Sequence, residues 1–160
     1  MGTMTMAEIE RNATLKVQIR RVIRAERQRV FDAWTNPEAM RKWMGPGMMS
    51  TVVVENDLRV GGSYRIVMQG TIDGNPEQSE RRVSAEGVYT ELVPNEAVSF
   101  TWRPTWNPEE ESQVTVRLKD VEGGTEIVLL HERFATEESR NGHERGWTNT
   151  LPKLEGYLEL

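Results

Sequence analysis

Two histidines carry the most versatile side chains in this sequence, and they sit in near-identical tetrapeptides, His131-Glu132-Arg133-Phe134 and His143-Glu144-Arg145-Gly146. Imidazole titrates near neutrality, so the pair suggests a general acid and base, or part of a metal site. Metal ligation is the weaker idea. Zinc takes three or four nitrogen, sulfur or oxygen ligands, yet the chain has no cysteine and no helical HExxH spacing. No metal and no cofactor is therefore expected. A Gly-x-Ser-x-Gly nucleophile elbow is absent. Gly61-Gly62 and Gly123-Gly124 read as turns, without the following helix that a phosphate-cradling loop requires. Arg59 and Arg65 flank the first of these turns, either as exposed strand residues or as receivers of a ligand carboxylate or phosphate.

The five tryptophans weigh more than the histidines. Large aromatics bury area at little entropic cost, and they build binding walls and ordinary cores alike. Trp34 and Trp43 read as core. Trp102 and Trp147 fit either role and are expected to meet across a sheet–helix interface, with Trp34 beneath it. Trp106 stands apart in Pro104-Thr105-Trp106-Asn107-Pro108, beside Glu109, Glu110 and Glu111. A loop tryptophan of this kind covers a cavity mouth, docks a partner or folds back on its own loop.

Several elements must position these residues. Leu15, Val17 and Ile19 alternate with Lys16, Gln18 and Arg20, the period of a half-buried strand. Residues 25–35 change period and place Val30, Phe31 and Trp34 on one helical face, which ends at Asn36-Pro37. No Ser, Thr, Asp or Asn marks the start of that helix. A second short helix over 38–43 puts Met40 and Trp43 on one side and stops at Gly45-Pro46-Gly47. Strands follow at 51–55, 63–69 and 82–92, with a turn at 58–62, a hairpin tip at Asp73-Gly74-Asn75-Pro76 and another turn at Pro94-Asn95. Three later strands carry Val98, Phe100 and Trp102, then Val114, Val116 and Leu118, then Ile127, Leu129 and His131, each set on one face. Finally Trp147, Leu151, Leu154 and Leu158 recur at helical spacing, the apolar stripe of a helix of about 20 residues. Pro152 removes one backbone donor, but the stripe keeps its phase across it, so one bent helix is expected.

Burial then dictates the architecture. At 160 residues the chain suits one domain, read as residues 15–160 after a disordered leader at 1–14. The expected class is α+β: a curved antiparallel sheet of about seven strands wrapped around a long C-terminal helix, with a ligand-sized gap between them. The net charge of −5 and pI of 5.2 argue against nucleic-acid binding. The cluster Arg20, Arg21, Arg24, Arg27 and Arg29 reads as a solvated edge strand and helix face, or as a dimer seam, and leaves the oligomeric state open. No apolar run approaches the roughly 18 residues that span a bilayer, so no membrane association is expected. The N-terminal residues lack a secretory signal. With no cysteine, a cytoplasmic location is expected.

Four stretches carry a resemblance to a known family. They are Val30-Phe31-Asp32-Ala33-Trp34-Thr35-Asn36-Pro37-Glu38 with Trp43; Leu58-Arg59-Val60-Gly61-Gly62-Ser63-Tyr64; Gly87 to Pro94 followed by Phe100-Thr101-Trp102; and Gly146-Trp147 with the spaced leucines. In order and spacing they resemble the START-like helix-grip superfamily (SRPBCC), and within it the domains homologous to the activator of the heat-shock protein 90 ATPase. The resemblance implies a strand, two short helices, six more strands and a long C-terminal helix. It leaves three functions open. The first is non-catalytic binding of a hydrophobic or amphipathic small molecule. Its expected lining is Tyr64, Ile66, Met68, Tyr89, Phe100, Trp102, Val116, Leu118, Leu129, His131, Trp147, Leu151 and Leu154, with His131 and Tyr89 as polar contacts. The second is a co-chaperone-like role in the stress response, with a heat-shock ATPase as partner. The third is a cyclase or hydrolase using His131 with Glu86 or Glu132.

Overall fold

The structure, a computed structural model, describes residues 5–6, 15–71 and 80–159. The hairpin tip read at Asp73 to Pro76, and all of the expected leader except Thr5 and Met6, lie outside the described residues. Strand β1 (Val17–Ile23) leads into helices α1 (Arg27–Thr35) and α2 (Pro37–Trp43). Six strands follow: β2 (Ser50–Asn56), β3 (Ser63–Gly70), β4 (Arg81–Val93), β5 (Ala97–Pro104), β6 (Ser112–Val121) and β7 (Gly124–Glu132). Helix α3 (Glu137–Leu158) closes the chain. The sheet order is β1-β7-β6-β5-β4-β3-β2 with every neighbouring pair antiparallel. The two short helices therefore carry the chain from one edge to the other, and six strands meander back until β7 meets β1.

Local chemistry explains the helix ends. Glu26 precedes α1 without a side-chain cap, matching the missing start signal. Asn36 serves both helices. Its backbone N–H closes α1 on the Asp32 carbonyl at 2.8 Å, while its side chain accepts from Glu38 N–H at 3.0 Å, ahead of Pro37 at the first position of α2. Thr136 caps α3 by accepting from Ser139 N–H at 3.1 Å, with Glu137 and Glu138 in the first turn against the helix dipole. Pro152 is exposed within one continuous helix, as the unbroken phase of the stripe predicts.

The core lies between α3 and the inner sheet face. Trp147, Leu151, Leu154 and Leu158 pack with Val98, Phe100, Val114, Val116, Ile127 and Leu129, all buried. Trp102 and Trp147 meet with ring centroids 6.1 Å apart, and Trp34 lies 5.9 Å from Trp147. The expected tryptophan arrangement is the one observed. Trp34 Nε1 is buried without a hydrogen-bond partner among the described residues.

The sheet bends where its ladders slip, between Thr51 and Val53 and between Tyr89 and Glu91. Near the second slip β4 presses against β5, and only glycine fits. A Cβ on Gly87 would lie 2.1 Å from the Thr101 carbonyl oxygen. Thr101 also receives side-chain bonds here: its carbonyl accepts from Tyr64 Oη at 2.5 Å, and its Oγ1 accepts from Val88 N–H at 2.9 Å. Gly87→Ala is expected to lower the unfolding free energy by about 3 kcal/mol, because backbone must move to admit one methyl. Urea denaturation of the two proteins measures it.

Candidate functional site

The sheet–helix interior is filled along the C-terminal half of α3 and opens along the N-terminal half. There a cleft of about 730 Å³ lies between Glu138–Thr150 of the helix, the loop after α2, the adjoining ends of β3 and β4, and the loop leaving β5. Met44, Met49, Met68, Trp102 and Trp147 supply buried apolar surface, while Arg81, Asn107, Glu138, Arg145 and Asn149 add polar groups.

Helix composition explains why space opens at this end. Gly142 and Gly146, one turn apart, both border the cleft. A Cβ on Gly146 would meet nothing within 4 Å, and one on Gly142 would meet only Arg145 Nη2 at 3.9 Å. Beyond Trp147, by contrast, Leu151, Leu154 and Leu158 are buried against the sheet and leave no such space. Two long side chains hold the walls. Lys153 Nζ donates to the carbonyls of Gly45 (2.6 Å) and Met49 (2.9 Å), fastening the loop after α2 to the helix; its burial lowers the Lys153 pKa. Glu110 is buried and accepts from Ala135 N–H (2.8 Å) and Ser139 Oγ (2.5 Å), fastening the β5–β6 loop to the start of α3.

The histidines cross-link sheet and helix. Trp147 Nε1 donates to His131 Nδ1 at 3.0 Å, and an indole N–H can only donate, so the His131 proton sits on Nε2. That nitrogen donates to Ser112 Oγ at 2.7 Å, and Ser112 passes its own hydrogen to the Trp102 carbonyl at 3.3 Å. His143 mirrors the arrangement from the helix. Its Nε2 accepts from Trp102 Nε1 at 3.2 Å, so its Nδ1 donates to the Ser139 carbonyl at 2.8 Å. Both rings are neutral in this network. Burial pushes the His131 pKa well below the usual histidine value, and His143 pushes it further. Burial also lowers the His143 pKa, against opposing pulls from the Ser139 carbonyl and the Glu110 charge.

Of the residues expected to line a ligand cavity, Met68, Trp102 and Trp147 border the cleft. Tyr64 reaches a shallow groove with Arg65, Glu86 and Arg103. Ile66, Tyr89, Phe100, Val116, Leu118, Leu129, His131, Leu151 and Leu154 are buried in the core and do not border the cleft. The Tyr89 hydroxyl accepts from Asn56 Nδ2 at 3.1 Å, and burial raises its pKa. Neither Glu86 nor Glu132 is a hydrogen-bond partner of His131. Trp106, 49% exposed, borders the cleft and stacks on His143 with centroids 6.0 Å apart. Met44, Met49, Arg81, Gly142, Arg145, Gly146 and Asn149 were absent from the expected lining. The paired glycines just before the leucine stripe were the available signal. Among the described residues, no three His, Asp or Glu side chains group as metal ligands.

A curved antiparallel sheet holding a long C-terminal helix, with a cleft at one end of that helix, defines a helix-grip domain. The family model described as Activator of Hsp90 ATPase homolog 1-like protein matches residues 24–159, and the chain belongs to that family. A protein from Chromobacterium violaceum is similar at 26% identity and a TM-score of 0.75, with 91% of this chain and 98% of that one covered. One from Nitrosomonas europaea is 25% identical, with a TM-score of 0.73 and coverage of 92% and 96%. The AHSA1 protein from Silicibacter pomeroyi shares the fold at 24% identity and a TM-score of 0.73, covering 90% and 97%. No curated protein matches the chain. Among the described residues, no helix is long and apolar enough to cross a membrane.

The neutral histidines set an expected pH dependence. Their folded pKa values lie below the ordinary 6.5, so below about pH 6.5 the unfolded chain binds more protons and stability falls with pH. Urea midpoints at pH 7.5 and pH 5.5 are expected to show the loss, and His143→Gln is expected to reduce it. An unchanged midpoint in the native protein would contradict the neutral network.

Proposed function

We propose that this domain binds a hydrophobic or amphipathic small molecule in the cleft beside the N-terminal half of α3. The observation that carries this reading is the cleft itself, whose size falls within the range of ligand pockets and whose buried surface is built from methionines and tryptophans. Methionine adapts its shape, and tryptophan adds broad apolar area. Trp106 forms one edge and can fold over a bound molecule from its loop. Binding without catalysis is the reading that the histidines support, because all four of their ring nitrogens are engaged by protein groups. An acid–base pair would need one of them free to face a substrate.

The family suggests a second reading, action on a heat-shock ATPase. Leu58 and Val60, exposed beside the Gly61-Gly62 turn, offer apolar surface for such a contact. Stimulation of the chaperone's ATPase by the purified domain would support it, and no stimulation at saturation would remove it.

Gly146 separates occupancy of the cleft from general surface binding. N-phenyl-1-naphthylamine, a neutral apolar fluorophore, is expected to bind the native protein saturably. Gly146→Leu fills open space and is expected to weaken binding by at least about tenfold. Gly146→Ala is expected to retain binding and raise stability by about 0.5–1 kcal/mol, the helix-interior difference between these residues. Unchanged binding in Gly146→Leu would place the probe elsewhere.

A further inference from the structure

We propose that the cleft selects amphiphiles with an anionic head, using Arg81 and Arg145 as the head-group receivers; this rests on the small-molecule reading above. The charge of the cleft runs against that of the chain. The whole sequence carries −5, yet the charged groups bordering the cleft are Arg81, Arg145 and Glu138, a formal balance of +1. His143 adds nothing to this balance, because its two nitrogens are committed to the Ser139 carbonyl and the Trp102 indole in a neutral ring.

The two arginines come from opposite walls, one at the start of β4 and one in the middle of α3. Neither makes an ion pair with a described residue, whereas Arg140, further up the same helix, is taken by Glu144 at 2.6 Å. The Arg145 guanidinium lies back along the helix, with Nη2 3.9 Å from where a Cβ on Gly142 would be. Both residues border the cleft, so the guanidinium rests against the Gly142 turn of the helix at the cleft edge. A planar guanidinium matches a carboxylate, sulfonate or phosphate through paired N–H donors. Glu138, also on the cleft, disfavours a second negative charge and so fits a singly charged head. Below the charged groups, Met44, Met49, Met68, Val83, Trp102 and Trp147 accept an apolar body.

The test compares decanoate with 1-decanol as competitors of bound N-phenyl-1-naphthylamine at pH 7.5, on the native protein and on Arg81→Gln/Arg145→Gln. Decanol leaves water more readily than the carboxylate, so a cleft reading apolar surface alone favours decanol. The native protein is expected to bind decanoate about tenfold more tightly than decanol. The double variant is expected to lose that preference while still binding decanol and the probe saturably. Equal or weaker binding of decanoate by the native protein overturns the inference, as does a preference that survives in the double variant. In both cases probe and decanol binding leave the small-molecule reading standing. A native protein that binds neither probe nor decanol overturns that reading, and the anion preference with it.

Discussion

Two reciprocal hydrogen bonds across the sheet–helix interface hold this domain in register. The sheet's Trp102 donates to the helix's His143, and the helix's Trp147 donates to the sheet's His131. Each bond forces its imidazole into one tautomer, and each ring's remaining nitrogen is satisfied in turn by Ser139 or Ser112. A net hydrogen bond contributes only about 1 kcal/mol, but an unpaired buried donor costs about 1–3 kcal/mol. The network therefore acts chiefly by penalising alternatives. Sliding α3 by a turn along its apolar stripe would keep hydrophobic contact yet strand four polar groups.

That fixed register determines where space remains. Below Trp147 the helix presents leucines, and the sheet answers with Val98, Val116, Ile127 and Leu129, so nothing is left open. Above it the helix presents Gly142 and Gly146, and the sheet face ends in Met68 and Trp102. Such a gap would collapse if its walls could move inward. Lys153 restrains one wall by holding two carbonyls of the loop after α2, and Glu110 restrains another by bonding the start of the helix. Both are long charged side chains placed beneath loops, where they satisfy backbone groups that neither sheet nor helix can reach.

Much of the fold was legible because the apolar positions follow the period of each element. Tyr64, Ile66 and Met68 alternate with polar or exposed residues at most steps, and Trp147, Leu151, Leu154 and Leu158 repeat at helical spacing, so the burial of all seven followed directly. Asn36-Pro37 was read as a helix end; its second role, capping α2, appears only when the Asn36 side chain meets Glu38 N–H. The acidic run Glu109 to Glu111 concealed more. Its members look alike in sequence, yet Glu110 is buried at the helix start while Glu111 forms an exposed pair with Arg103.

The sequence by itself determined the element order, the inward faces of β1, β3, β5, β6 and β7 and the placing of Trp34, Trp102 and Trp147 at one interface, because periodicity records which side of an element leaves water. Only the tertiary structure decided that most of the inward residues close into solid core, that both histidines are spent on indoles and serines, and that the open volume lies beside Gly142 and Gly146. The reason is geometric. A hydrophobic pattern specifies that a face is buried, whereas the volume left between two buried faces depends on how the opposing side chains pair and on how far along the sheet the helix sits.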